Sequence, residues 1–359
     1  MNTLNIYARK DGRYEGRVYL GKDENGKRRY KSYYGATAEE VRRKHELTQF
    51  SAVPNIPASK MTIATLAAEW LLSVQNRVKE STLENYRLKL KKHIIPSFGA
   101  MNCCAVGSKE IYGFMNAKIG NGLSSRYVSD ILVLMKSMFK YAAREYGFKN
   151  VFDGITMPKK QSKEVRLLTK DEENKLKSYI TEKPTLAGMG IALTMYTGLR
   201  VGELCALTWA DIDLDYRTLT VKKTMQRIQN HEGGGKTKLI ISEPKSEKSR
   251  RIIPIPECMI EMLRSFKADD GCFLLTGKDK PMEPRAMQYR FSRLLKKLGL
   301  PHIHYHALRH GWASRAIELG FDVKTLSEIL GHSSVELTMR LYVHSNFERK
   351  RACMDMFSW

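Results

Sequence analysis

The 359-residue chain has six cysteines, Cys103, Cys104, Cys205, Cys258, Cys272 and Cys353, and no two of them stand as CxxC. Neither a zinc ribbon nor a thioredoxin-like motif can be read from such spacing, and ordinary reduced thiols are expected. No apolar run of about eighteen residues is present to span a bilayer. The opening "MNTLNIYARKDGRYEG" lacks the continuous apolar segment of a signal peptide. The expectation is a soluble, cytoplasmic protein with no membrane partner. Acid is scarce as well: 38 Asp and Glu face 61 Lys and Arg, a formal net charge of +23. That surplus goes beyond what solubility needs and points to a polyanion, with nucleic acid the leading candidate and an anionic membrane surface the rival.

Two apparent ligand motifs fail on counting. "GCFLLTGKD" resembles a nucleotide loop, but Gly271 and Gly277 are one residue too far apart for GxxxxGK, and Asp279 stands where Ser or Thr would hold magnesium. "HIHYHALRH" puts His306 and His310 on one helix face, yet Arg309 lies in the same cluster and opposes a bound cation. No HExxH completes a set. Neither a cofactor nor a metal is expected.

What the chain does contain is organised in blocks, and its length favours two or three domains. The first fifty residues alternate aromatic or aliphatic with charged positions, broken at Asp11-Gly12 and Asn25-Gly26. That pattern predicts a three-stranded antiparallel sheet. A helix should follow, since Thr37 with Glu40 three positions later has the form of a capping box. Arg9, Arg17, Arg28 and Arg29 lie on this sheet beside Tyr7, Tyr14, Tyr19 and Tyr30. A basic sheet with interleaved aromatics suits a DNA groove; the alternative is a solvated sheet whose tyrosines form its thin core.

"SAVPNIPASK" reads as a linker. Four helical segments come next, the last three opening near Ser81, Ser108 and Ser124, each able to cap. Lys91, Lys92, Arg126 and Lys136 on these helices would either line a DNA-facing surface or keep the helices wet. A second linker, "GITMPKKQSKEVR", precedes a capping box at Thr169 and Glu172. Helices follow, then strands from "RTLTVKK" to "RRIIPI" around the loop "NHEGGGKTK", then helices to the end. The expected fold is multidomain and mainly α with a small β component. Its parts are a sheet plus helix over 1–52, a helical domain over 60–155, and a mixed α/β domain over 165–359.

Six groups in the last part invite one chemistry. In "TGLRVGEL", Arg200 begins a helix with Glu203 one turn on, so the carboxylate can orient a guanidinium fork toward a phosphate. Lys245 in "EPKSEKSRRIIPI" can protonate a leaving oxygen if neighbouring cations lower its pKa; Lys236, Lys238 and Lys248 remain alternatives. His306 and Arg309 share a helix face, His332 follows a turn at Gly331, and Tyr342 comes ten residues later. A tyrosine is a poor nucleophile at neutral pH unless cations and a base assist it.

"TGLRVGEL", "HALRH", "LGH" and "TMRLYVH", in this order and spacing, resemble the catalytic motifs of the tyrosine recombinase, or phage integrase, family. The resemblance covers roughly residues 165 to 345 and, more loosely, the helical SAM-like domain before them. Gly311 varies where relatives often carry a hydroxyl, and no presumed catalytic position departs from the pattern. The resemblance implies that Arg200, Arg309 and His332 clamp the scissile phosphate while Tyr342 attacks it and becomes joined to the 3′ phosphate. Lys245 would protonate the departing 5′ oxygen, with His306 moving the tyrosine proton, and neither ATP nor magnesium would be needed. It implies further a tetramer on two DNA duplexes, a tail "NFERKRACMDMFSW" docking on a neighbouring subunit, and a bacterial, phage or transposon origin. The N-terminal sheet resembles the arm-binding domain of phage and conjugative-transposon integrases, so core and arm-type sites would both be bound. A small excisionase or directionality factor is then a plausible partner. An Xer-type dimer-resolving enzyme, a type IB topoisomerase and a non-catalytic regulator of the same architecture are the competing readings.

Overall fold

A computed structural model describes residues 4–9, 12–22, 28–42, 60–159, 166–230, 237–243, 250–332, 334–342, 351 and 354–355. The chain is mostly helical with small antiparallel sheets and divides into two compact units, Met1–Ser162 and Lys163–Trp359. Most of the tail lies outside the described residues, as do Asn25-Gly26 and the loop at 231–236.

In the first unit, β1 (Asn5–Ala8), β2 (Tyr14–Lys22) and β3 (Arg28–Gly35) form an antiparallel sheet in that order. Period-two alternation sends Gly16 and Val18 to one face, where Val41 of the helical stretch 38–42 packs. A Cβ on Gly16 would sit 2.5 Å from Val41 Cγ1 and 2.9 Å from Leu4 Cδ1, so only glycine lets the helix lie on the sheet. Glu15, Arg17 and Tyr19 face the other way; Glu15 stands opposite Tyr7 and Tyr34, and Tyr19 opposite Tyr30. Tyr7, Tyr19, Tyr30 and Tyr34 are 38–49% exposed on that open face, whereas half-buried Tyr14 shares the covered face with Gly16 and Val18, so the tyrosines divide between the two readings. Thr37 accepts from the Glu40 amide as expected, and the Glu40 carboxylate accepts from the Ala36 amide at 2.8 Å.

The helical part holds α1 (Ile63–Val74), α2 (Glu80–Lys89), α3 (Ser108–Gly120) and the long α4 (Ser125–Tyr146). Helix α2 continues through a π turn, Leu90–Ile94, into a last turn, Ile95–Phe98. Buried Val128, Ile131, Leu132, Met135, Met138, Phe139 and Ala142 follow the helical period on α4 and meet Leu66, Trp70, Ile94 and Ile111 in one core. Of the three serines expected to cap, Ser124 does so, accepting from the Tyr127 amide at 3.2 Å. Helix α2 begins before Ser81, at Glu80, with no side-chain cap, and α3 begins at Ser108 itself. There the Gly107 amide donates to the Glu110 carboxylate at 2.9 Å, which ties the first turn back to its N-cap residue.

The second unit opens with α5 (Lys170–Glu182), closed by the Thr169–Glu172 capping box. Helix α6 (Leu186–Thr197) is buried almost all round, and short α7 (Val201–Ala206) follows it. Strands β4 (Ile212–Asp213), β5 (Thr218–Val221) and β8 (Arg251–Pro254) make one sheet, and β6 (Thr224–Gln229) with β7 (Thr237–Ser242) a separate hairpin. Then come α8 (Ile260–Ser265), α9 (Pro284–Lys297), α10 (His306–Glu318), α11 (Val323–Leu330) and α12 (Val335–Tyr342). One core runs from α5 to the start of α10, with Trp209, Phe291, Leu193 and Leu204 fully enclosed, and a smaller one of Ala313, Ala316, Leu326 and Leu330 joins α10 to α11.

Candidate active site

Helix α6 ends at Gly198, whose φ of +66° and contact with Trp312, 2.6 Å from where a Cβ would be, demand glycine. The turn it makes leaves Arg200 as the residue that caps α7. The Arg200 amide donates to Glu203 Oε2 at 2.9 Å, and its Nη1 to Glu203 Oε1 at 2.7 Å. Glu203 is only 3% exposed and takes a second arginine: Arg251, the first residue of β8, donates from Nη1 to Oε1 at 3.1 Å and from Nη2 to Oε2 at 2.9 Å. Burial alone would raise the Glu203 pKa, but the hydrogen bonds and charge of Arg251, then the charge of Arg200, outweigh it and hold the carboxyl at about 2.

The end of α11 gathers the guanidiniums. Arg251 Nε donates to the Ile329 carbonyl, Arg309 Nη2 to that of Leu330 at 2.7 Å, and Arg200 Nη2 to that of Gly331 at 3.2 Å. These carbonyls sit where a helix leaves its acceptors unsatisfied and its dipole is negative, so three cations can be packed together there. Arg309, in the first turn of α10 and 1% exposed, also donates from Nη1 to the Gly198 carbonyl at 2.8 Å. Gly331 takes the left-handed conformation, and the His332 amide returns to the Ser327 carbonyl at 3.0 Å, which fixes His332 directly beyond the three carbonyls.

His332 is buried, and its Nδ1 lies 2.7 Å from Thr338 Oγ1 on α12. Burial, then the charges of Arg309, Arg200 and Arg251, lower its pKa to about 4. His306, at the start of α10, packs edge-on to His310 with ring centres 4.8 Å apart. It keeps an exposed edge, but enclosure of the rest of its ring, followed by His310, Arg309 and Arg200, lowers its pKa to about 4. Both imidazoles are therefore neutral at pH 7 in the DNA-free protein.

Arg200 and Arg309 thus bond neighbouring carbonyls of one helix end, Arg200 also bonds Glu203, His332 is the next residue along that turn, and both His332 and His306 are electrostatically coupled to the two arginines. Tyr342 closes α12, one helical turn past Thr338, and its side chain lies outside the described residues. So do Lys245, Lys236 and Lys248, while Lys238 is on β7. Among the described residues no three His, Cys, Asp or Glu come close enough to hold a metal ion.

Sequence reasoning missed Arg251 and Thr338. A signal for the first was present: Arg251 has the same strand parity as buried Ile253, so it had to point inward. Thr338 carries no comparable sign.

Elsewhere, Arg9 and Arg17 do not stand alone. Both bind Glu15, at 3.1 and 2.7 Å, and lie over the Tyr34 and Tyr7 rings respectively. Arg28 and Arg29 lie on β3, with side chains outside the described residues. Lys91 and Lys92 are exposed on the π turn, and Arg126 and Lys136 on the outer side of α4.

Residues 166–349 match the phage integrase family, and residues 62–118 the N-terminal SAM-like domain of phage integrases. Among curated proteins, a XerC-like tyrosine recombinase of Caldanaerobacter subterraneus is 29% identical over 361 residues, covering 92% of each chain. The ICEBs1 integrase of Bacillus subtilis is 25% identical over 309 residues, covering 82% of each. Among solved structures, the Tn1549 transposon integrase (residues 82–397) in complex with circular intermediate DNA aligns with a TM-score of 0.68 at 25% identity, over 83% of this chain and 100% of that one. A lambda integrase tetramer bound to a Holliday junction shares the fold, with a TM-score of 0.60 at 22% identity over 92% of this chain and 96% of that one. The chain belongs to the phage integrase family and is a tyrosine recombinase, an enzyme of site-specific DNA strand transfer.

Proposed function

We propose that this recombinase integrates and excises a mobile element, with Arg200, Arg309 and His332 clamping the non-bridging oxygens of the scissile phosphate. The observation that carries the reading is the row of carbonyls at Ile329, Leu330 and Gly331, which holds three guanidiniums beside one histidine. Such a cluster needs an anion to balance it, and fixed charges in a site shielded from water stabilise the pentacoordinate transition state without reorganising. Arg309 is buried within the cluster, and Arg200, its side chain 36% exposed, is the member a phosphate reaches first.

Tyr342 attacks phosphorus in line, forming a 3′-phosphotyrosine bond as the bond to the 5′ oxygen breaks. Lys245 gives that oxygen its proton, and neutral His306 takes the one from tyrosine. A Thr338 hydroxyl that donates to His332 Nδ1 puts the imidazole proton on Nε2, the donor this reading assigns to the phosphate. A 5′ hydroxyl from the other duplex reverses the step, so the bond energy is kept and no nucleotide is consumed.

Three domains, 1–52, 60–155 and 165–359, divide the labour in this reading. The sheet that carries Arg9, Arg17, Arg28 and Arg29 along its strands, with its exposed tyrosines, takes arm-type sites. Lys91, Lys92, Arg126 and Lys136 take core-site phosphates, and the enzyme acts as a homotetramer on DNA in the bacterial cytoplasm, with an excisionase setting direction. The lambda integrase structures, a dimer on a core site and a tetramer on a junction, support that assembly by analogy of fold.

The test uses nicked suicide duplexes carrying the ends of the source element, read on denaturing gels. Wild type should form a covalent adduct whose DNA-linked peptide contains Tyr342, and Tyr342→Phe should form none. An adduct at another residue, or specific binding without any adduct, overturns the reading.

A further inference from the structure

Arg251 is the one guanidinium of the cluster to which the proposed mechanism gives no task. Its side chain is 6% exposed, and a bare structural ion pair at that depth is an expensive way to hold a fold. Its contacts are unusually directed. Both Glu203 oxygens are shared between Arg251 and Arg200: Oε1 accepts from a terminal nitrogen of each, and Oε2 from Arg251 Nη2 and the Arg200 amide. Arg251 Nε meanwhile holds the Ile329 carbonyl, and the Gly331 turn lies against the guanidinium, so close that a Cβ there would be 3.1 Å from Nη1. One rigid fork thus touches the carboxylate that aims Arg200 and the turn that delivers His332.

We propose that Arg251 is a positioning residue for strand transfer: it locks the Glu203 carboxylate in the rotation that points Arg200 at the phosphate, and braces the turn that carries His332. The inference rests on the reading in which Arg200 binds the scissile phosphate. Without Arg251, the carboxylate keeps a single partner and is free to turn, and Arg200 loses its angle while remaining in place. Lysine cannot substitute, since one ammonium does not span two oxygens and a carbonyl in a fixed plane.

The test is single-turnover cleavage of a nicked duplex by the full chain, with a phosphate or a methylphosphonate at the scissile position. The methylphosphonate replaces a charged oxygen with methyl and so needs the arginine clamp less. Arg251→Gln should slow cleavage of the phosphate by roughly 10–100-fold, as loss of an orienting partner does, at unchanged affinity for the duplex. The loss should shrink on the methylphosphonate, as it should for the control Arg200→Lys. Arg251→Lys should show the same pattern more mildly and carries the test if the glutamine variant does not fold. A folded Arg251 variant that cleaves phosphate at the wild-type rate, or is slowed equally on both centres, overturns the inference while leaving Arg200's role standing. If Arg200→Lys itself shows no difference between the two centres, the underlying reading fails and the inference falls with it.

Discussion

The molecule uses one motif twice, a covered glutamate shared by two arginines, in two very different settings. On the N-terminal sheet, Glu15 binds Arg9 and Arg17, whose side chains are 40% and 49% exposed and stack on tyrosines. In the second unit, Glu203 binds Arg200 and Arg251, and the cluster continues into fully buried Arg309 and three helix-end carbonyls. The chemistry of the partners is alike; what differs is the water. An exposed pair gains little from its charges, is screened by salt and can let its arginines swing toward a ligand. A buried set cannot lose one member without stranding the others, so it fixes geometry at the cost of tolerance. The first arrangement suits reading a DNA groove, the second holding one phosphate through a reaction.

The largest effect that would sharpen this contrast is on stability. Glu203→Gln leaves Arg200 and Arg251 without their counter-charge and should cost about 3–5 kcal/mol in denaturant unfolding, whereas Glu15→Gln should barely move the curve. Comparable shifts would break the comparison. Next, Arg309→Ala should slow single-turnover cleavage by roughly 10²–10³-fold, the value of a buried donor to a developing anion. Arg17→Ala, tested alongside, should spare most of that rate.

A pH series comes third. The folded pKa of His332 is depressed from its ordinary 6.5 to about 4, so below pH 6.5 the unfolded chain takes up the proton first. Stability should therefore be lost as pH falls from about 6.5 toward 4, by at most about 3 kcal/mol from this residue. His332→Gln should flatten that stretch of the melting-temperature profile, with His306 leaving a remainder; an unaltered profile would contradict the assignment. Smallest is a salt effect on the sheet. Arg17→Ala should weaken binding to arm-type DNA at every sequence alike and reduce the slope of log affinity against log salt by about 1.

How much of this could be read in advance depends on the range of each interaction. Local patterns carried well: the period of α4, the Thr169–Glu172 box and the alternation of the sheet all depend on neighbours within a few residues. Arg200, Glu203, Arg309 and His332 were legible because the spacing of their motifs has chemical meaning. The carbonyl row that gathers them was not, since backbone acceptors leave no mark in a sequence, and the partners in each bond lie up to 131 residues apart. Nor were the π turn after Lys89 or the helix starts that take Ser81 and Ser108 into the first turn, which depend on packing and a residue or two of boundary.

The most direct test of the contrast is single-turnover cleavage by Glu203→Gln and Glu15→Gln on one nicked core duplex, with affinity for that duplex measured in parallel. The expected result is cleavage slowed by about 10–100-fold at wild-type affinity for Glu203→Gln, and a far smaller change in rate for Glu15→Gln. Equal losses of rate in the two variants, or a loss for Glu203→Gln that comes entirely from weaker binding, would contradict the assignment of catalysis to the buried cluster.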